Sequence, residues 1–203
     1  MKNSKNSVME AVKTKVSKRR RGEPFSAVEL GEIGSRAAVH QALSRLARAK
    51  KIERVARGIF VKPRVSPILG NLAVPAAKIV EAAVRVSKSR LELSGAEAAN
   101  RLGLSTQVAA KTVYLTDGPS RTIHIGQQEV ELRHRSAKSL IGIGSEAGHV
   151  IQALRHLGKQ AITSKSVEQL KKTLPNKSKE ELLKLIRQAP FWMTPWLRQI
   201  CND

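Results

Sequence analysis

Residues 54–63 read RVARGIFVKP, in which Arg57 and Gly58 separate two short runs rich in Val, Ile and Phe. The pattern predicts a tight β-hairpin with a basic tip, because the apolar runs favour strands and glycine supports the turn between them. A hairpin of this kind is a plain surface turn in some folds and a DNA-binding wing in others. The residues that precede it decide between the two.

Three helical segments precede the hairpin. SVMEAVKTKVS at 7–17 repeats valine every four residues, which predicts a helix with one apolar stripe. Ser26 and Glu29 have the spacing of a capping box for the short helix AVELGEI, and Ser35 is positioned to cap the helix RAAVHQALSRLARAK. The predicted apolar face of this last helix consists of Val39, Ala42, Leu43 and Leu46.

The order of helix, short helix, turn, helix and hairpin predicts a winged helix-turn-helix domain over residues 1–66. In that architecture the second helix of the pair enters the major groove, and its first exposed residues reach base edges. Arg36, His40 and Gln41 are therefore the candidates for base contacts, while the helix N-terminus at Ser35 favours a phosphate. The full set of predicted DNA-binding residues is Lys18, Arg19, Arg20, Arg21, Ser35, Arg36, His40, Gln41, Arg45, Arg54 and Arg57.

Helix–helix–hairpin units also serve as protein-docking modules, so the charge of the chain bears on the prediction. The formal net charge is +21, with 37 Lys and Arg against 16 Asp and Glu. Residues 1–66 hold 17 of these cations and only 5 Glu. A charge this large favours a polyanionic partner, with nucleic acid ahead of an anionic membrane surface or an acidic protein. Aromatic residues make up only 3% of the chain, which disfavours single-strand binding by base stacking.

The chain is expected to be cytoplasmic. No stretch approaches the roughly 20 apolar residues that a membrane span needs, and the N-terminus has no apolar signal core. The single cysteine, Cys201, fits a reducing compartment. We therefore expect no membrane association.

Residues 67–74, with Pro67 and Gly70, are predicted to be a linker, and residues 75–203 a second, α+β domain. The runs KTVYLT, RTIHIG and EVELRHR predict three strands of a small antiparallel sheet with one buried face. The remaining segments are predicted to be helical. Near the C-terminus, Trp192 and Trp196 either seal a core or form an interface.

Few residues of the second domain suggest chemistry. Asp117, Glu129 and Glu131 are the carboxylates that a metal-dependent nuclease would need, although Asp117 before Gly118 also fits a simple turn. The histidines have no zinc-motif spacing, and His149 is read as a packing or surface residue. We expect no cofactor, no metal and no enzymatic activity. A second basic patch is predicted from Lys111, Arg121, Arg133 and Arg135.

Three stretches carry a resemblance to a known family: VARGIFVKP, SGAEAANRLGLSTQV at 94–108 and VYLTDGPSRTIHIGQQEVELRHRS. They resemble AbiEi-family antitoxins of abortive-infection, type IV toxin–antitoxin systems, over roughly residues 5–160. The resemblance implies an N-terminal winged helix that represses its own operon by binding inverted repeats. It also implies a C-terminal antitoxin domain, DNA binding by both halves and a nucleotidyltransferase-like toxin countered without a stable complex.

The expected function is therefore an antitoxin that binds double-stranded DNA upstream of its own operon and represses it. Two alternatives remain open from the residues alone. One is a general basic architectural protein that binds DNA or RNA without sequence preference. The other is a metal-dependent nuclease that uses the three carboxylates.

Overall fold

The computed structural model of the protein describes residues 2–68, 70–107 and 111–202. The chain is α+β and about half helical. It divides into two compact units, Met1–Lys88 with Ile123–Glu129 and Ser89–Thr122 with Val130–Asp203. None of the helices in the described part of the chain has the length and apolar composition that crossing a bilayer requires.

The first unit begins with a helix and a small three-stranded sheet. Its elements are α1 (Lys2–Ser17), β1 (Pro24–Ser26), a 3-10 helix (Ala27–Ile33), α2 (Arg36–Arg48), β2 (Glu53–Ala56), β3 (Ile59–Val61), β4 (Arg64–Ser66), β5 (Gly70–Leu72) and α3 (Ala76–Arg85). The sheet has the order β1-β3-β2, and both pairings are antiparallel. The predicted helices and hairpin are therefore present in the predicted order.

The core of the first unit forms as the periodicity predicts. From α1, Val12 and Val16 are buried, which confirms the valine stripe. The predicted apolar face of α2 is buried over its whole length. These side chains pack with Phe25 and Leu30 into one cluster, so α1, α2, β1 and the 3-10 helix share a single hydrophobic core.

Two features of this unit differ from the predicted domain boundaries. β4 lies in the predicted first domain and β5 in the predicted linker, yet the two strands pair antiparallel, with Ser66 opposite Gly70. Helix α3, predicted for the second domain, packs against β1 and β3 and groups with the first unit, which continues to Lys88. The apolar face of α3, including Ile79 and Val80, is buried, and the helix contacts β1 and β3.

The second unit combines a four-stranded sheet with helices. The elements of this sheet and of this unit are β6 (Leu91–Leu93), α4 (Gly95–Arg101), β7 (Thr112–Thr116), β8 (Arg121–Ile125), β9 (Gln128–His134), a 3-10 turn (Ala137–Ser139), α5 (Glu146–Leu157), α6 (Ser164–Thr173), α7 (Asn176–Leu185), 3-10 turns at Ile186–Gln188 and Phe191–Met193, and α8 (Thr194–Cys201). Residues Ile123–Glu129, at the end of β8 and the start of β9, are grouped with the first unit. The strand order is β6-β7-β9-β8.

This sheet corrects the prediction of a purely antiparallel sheet with one buried face. β7 and β9 pair in parallel, and β6 adds an unpredicted strand beside β7. The register pairs Val113 with Glu131 and Tyr114 with Leu132. Because paired residues point to the same face, Val113 and Leu115 lie on the face opposite to Leu132. Both faces carry buried side chains, so a single alternating stripe does not describe the sheet.

A helical core completes the second unit. Side chains of α5, α6, α7 and α8 form one buried cluster that includes Ile151, Leu154 and Leu197. Trp192 and Trp196 are partly buried and pack against this cluster. The tryptophans therefore contribute to the core, which is one of the two roles that the sequence left open.

We expect Gly148→Ala to destabilise the second unit by about 1–3 kcal/mol. A Cβ atom on Gly148 would collide with the carbonyl oxygen of Gly142 and lie 3.0 Å from Glu92 Oε2. Gly31→Ala is the matched control, because its added methyl group would meet no atom within 4 Å. Urea unfolding followed by circular dichroism measures both; equal midpoints for the two variants would contradict the packing described here.

Candidate nucleic-acid interface

Helix α2 presents one exposed, basic face. Ser35 begins the helix, and its Oγ accepts a hydrogen bond from the backbone N–H of Ala38 at 3.3 Å. The buried stripe turns the opposite side outward, and that side contains no Asp or Glu. The exposed or half-exposed side chains of this face are Arg36, Ala37, His40, Gln41, Ser44, Arg45 and Arg48.

The structure supports the surface position of most residues predicted on α2. Ser35, Arg36, Gln41 and Arg45 are exposed, whereas His40 is half-buried. The first N–H groups of a helix have no partner within the helix, and they carry the positive end of its dipole. The start of α2 can therefore hold a phosphate oxygen.

The hairpin tip is short and fixed in position. Gly58 has a φ of 76°, a left-handed conformation that favours glycine, and exposed Arg57 precedes it. The β2–β3 register shifts between Arg54 and Ala56, and Arg54 Nε donates to its own strand at Ala56 O, 3.4 Å away. The backbone N–H of Ala27 donates to Gly58 O at 2.9 Å. The tip thus lies beside the start of the 3-10 helix, with the Arg57 side chain in solvent.

The basic run Lys18–Arg21 does not form one exposed patch. Arg19 turns inward: its Nη2 lies 2.9 Å from Glu29 Oε2, and its guanidinium carbon lies 4.5 Å from the ring centroid of Phe25. Its side chain is only 22% exposed. Arg19 therefore packs within the first unit, and it does not lie among the exposed residues of the predicted DNA-binding set.

The rest of the run lies at the end of β3 that is distant from the hairpin tip. Arg21 Nη1 donates to Pro63 O at 3.2 Å, while Lys18 and Arg20 are exposed. Lys62 lies four residues after Gly58 along this extended segment, which corresponds to about 13 Å. The DNA-binding residues predicted outside α2 therefore lie in two places, one at the β2–β3 hairpin tip and one near the end of α1.

The second predicted patch is partly neutralised by its own carboxylate. Arg133 donates from Nε and Nη2 to Glu131 at 2.7 and 2.9 Å, which raises the pKa of Arg133 and lowers that of Glu131. Arg135 donates to His134 O at 3.1 Å. Lys111 directly precedes Thr112, which pairs with Val130 near the start of β9. Arg133 is near the end of β9, so Lys111 and Arg133 lie near opposite ends of that strand. Exposed Arg121 begins the edge strand β8.

The three carboxylates considered for a nuclease each have a basic partner. Asp117 accepts from the backbone N and Nε of Arg90 at 2.7 and 2.9 Å, and these bonds lower the pKa of Asp117. Glu129 lies 3.4 Å from His124 Nδ1, and Glu131 is held by Arg133 as described above. Within residues 2–68, 70–107 and 111–202, no three His, Cys, Asp or Glu side chains are grouped as metal ligands.

The sequence did not indicate a buried acid–histidine pair in the second unit. Glu92 on β6 has a fully buried side chain and accepts from the backbone N–H groups of Leu93 and Gly144 at 2.9 and 2.8 Å. His149 Nε2 lies 3.2 Å from Glu92 Oε1. Burial raises the pKa of Glu92 from 4.5 to about 7 and lowers that of His149. A protonated Glu92 donating to a neutral imidazole fits both shifts. The sequence LEL of β6 did not indicate this pair, because Gly144 and His149, which contact Glu92, are distant from it in sequence.

Comparison with known proteins gives a family for the chain. Residues 11–182 match a family described as a family of unknown function, DUF6088. The match covers most of the chain, so the protein belongs to this family. No curated protein and no solved structure matches the chain.

We expect Arg19→Ala to lower the free energy of unfolding of the first unit by roughly 1–3 kcal/mol, through loss of the Glu29 ion pair and of the contact with Phe25. Arg20→Ala removes the same charge from an exposed position and should change it by less than about 0.5 kcal/mol. Thermal unfolding of both variants measures the difference. Unchanged stability in Arg19→Ala would mean that Arg19 is free for another role.

The buried carboxyl group of Glu92 makes the stability of the second unit depend on pH. Because the folded-state pKa of Glu92 lies above the unfolded value, the stability contributed by protonated Glu92 is complete below 4.5 and is lost as the pH rises through about 7. Glu92 alone contributes a loss of about 3 kcal/mol. The lowered pKa of His149 acts in the opposite direction, because the unfolded chain binds that proton more readily. Glu92→Gln, which resembles the protonated acid, should flatten this dependence. Urea unfolding across this pH range measures it, and a profile that is the same in both proteins would contradict the assignment.

Proposed function

We propose that the protein is a double-stranded DNA-binding repressor of its own operon and the antitoxin of a toxin–antitoxin system. The observation that carries the DNA-binding part is the exposed face of α2, which combines three arginines with no carboxylate. Such a face complements the phosphate-lined major groove in charge, and the small residues among the arginines allow the helix to approach the bases.

The arrangement of elements supports a winged-helix mode of binding. A strand, a short helix, a tight turn, a second helix and a two-stranded hairpin follow one another, and the sheet order is β1-β3-β2. In this mode α2 enters the major groove, and the tip at Arg57 and Gly58 contacts the neighbouring backbone. Ser35 and the first amides of α2 hold a phosphate at the groove edge.

The antitoxin part of the proposal rests on the resemblance to AbiEi-family antitoxins. We assign that activity to the second unit, whose carboxylates Asp117 and Glu131 are held by arginines rather than arranged for catalysis. The proposed functional partner is a nucleotidyltransferase-like toxin encoded next to this gene, and the proposed location is the cytoplasm. No enzymatic activity and no cofactor form part of the proposal.

Footprinting of the purified protein on DNA upstream of its own gene, across a salt series, tests the repressor. We expect protection of two inverted half-sites that persists at salt concentrations that release random DNA. Uniform coating without boundaries would favour the general architectural protein instead. Magnesium-dependent cleavage of the same DNA, abolished by Asp117→Ala, would favour the nuclease.

The antitoxin part has a separate test. Expression of the neighbouring gene alone should arrest growth, and co-expression of the full chain should restore it. Rescue by the chain would support the assignment, and continued arrest at equal protein levels would reject it. This result does not depend on DNA binding.

We expect Arg57→Ala to weaken binding to all duplexes by a similar factor and to flatten the dependence of log K on log salt by about one unit. The reason is that a side chain at the tip contacts a phosphate and carries no base information. Arg187→Ala, which removes the same charge from an exposed position in the second unit, is the control. Fluorescence anisotropy on specific and random duplexes measures both. A loss restricted to the specific duplex would contradict the phosphate role.

A further inference from the structure

The outward side of α2 has a defined centre. Successive helical residues are rotated by about 100°, so the buried stripe fixes which side chains point directly away from the core. The stripe consists of Val39, Ala42, Leu43 and Leu46. The residues on the opposite line of the helix are Ala37, Gln41, Ser44 and Arg48. This line, called here the central ridge, is what a major groove meets first.

Arg36 and Arg45 lie on the two sides of the central ridge. By the same rotation they are about 180° apart around the helix axis. His40 lies on the Arg36 side and is half-buried. Arg36, at the start of α2, is a natural candidate for a base contact. The positions of Arg36 and Arg45 around the helix instead favour contacts with the two walls of a groove.

Gln41 is the one long, uncharged polar side chain on the central ridge. Its neighbours along the ridge are the small Ala37, four residues before, and the small Ser44, three residues after. Small neighbours on both sides let the helix backbone approach a groove floor and leave the Gln41 amide as the projecting group. Within the described part of the chain, that amide forms no hydrogen bond with the protein, so both its donor and its acceptor are available.

The chemistry of this amide selects one base. In the major groove adenine presents an N6 donor beside an N7 acceptor, which a glutamine amide matches with two hydrogen bonds. Guanine presents two acceptors at the same place and is matched by arginine instead. An alanine methyl group such as that of Ala37 packs against the thymine methyl group.

We propose that Gln41 is the specificity-determining residue of the DNA-binding face and reads an adenine in the major groove. Arg36 and Arg45 hold phosphates on the two walls of that groove, and Ala37 contacts a neighbouring thymine methyl. This inference rests on the proposed function, because it requires that α2 enters duplex DNA. It goes further in naming the base and the side chain that reads it.

The experiment selects preferred sites for the wild-type protein from random-core duplex DNA and then measures affinity for duplexes carrying each of the four base pairs at every position. The wild type should prefer adenine at one position by about 5- to 150-fold. Gln41→Ala should lose the preference at that position alone. Gln41→Glu should move it to cytosine, whose N4 amino group donates to a carboxylate.

Arg45→Ala is the matched control on the same helix. It should weaken all duplexes by a similar factor and leave the base preferences unchanged, because it removes a phosphate contact. Gln41 and Arg45 are both exposed, so equal thermal midpoints will show that the variants are folded.

The outcomes separate the two proposals. An unchanged adenine preference in Gln41→Ala, with sequence-selective binding by the wild type, overturns the role of Gln41 and leaves the repressor standing. A wild-type protein that selects no sequence overturns both. Loss of preference in Gln41→Ala, with a shift to cytosine in Gln41→Glu, supports both.

Discussion

The first unit depends on the carboxylate of Glu29. One oxygen accepts the backbone N–H of Ser26 at 2.9 Å and the other accepts Arg19 Nη2 at 2.9 Å, so one side chain closes the capping box and holds the chain that leaves α1. Arg19 in turn covers the Phe25 ring. Only two residues separate the capped 3-10 helix from α2. The contacts of Glu29 hold the 3-10 helix in place, and this helix in turn fixes the position of the start of α2.

In the second unit the carboxyl group of Glu92 also holds neighbouring segments together, but it is fully buried. Glu29 is partly exposed and forms an ion pair with Arg19, whose Nη2 lies 2.9 Å from Glu29 Oε2. Glu92 is fully buried among backbone N–H groups and His149, and desolvation outweighs those hydrogen bonds. The same type of side chain thus forms an ion pair with arginine in one unit and is buried with a raised pKa in the other.

The sequence predicted those features whose signals are local. The capping box at Ser26, the cap at Ser35 and the buried stripe of α2 follow from spacing within one or two turns of helix, and the structure confirms all three. The inward turn of Arg19, the parallel pairing of β7 with β9 and the burial of Glu92 depend on residues distant in sequence. Composition and periodicity contain no information about such pairings, so these parts of the fold and of the candidate site required the structure.

We propose that α2 and the hairpin tip form a surface that reads duplex DNA. Nuclear magnetic resonance of isotope-labelled protein, titrated with a duplex from the footprinted region, tests this claim most directly. We expect the largest backbone amide shifts along Arg36–Arg48 and at Arg57 and Gly58. Shifts confined to α6 and α7, with α2 unperturbed, would contradict it.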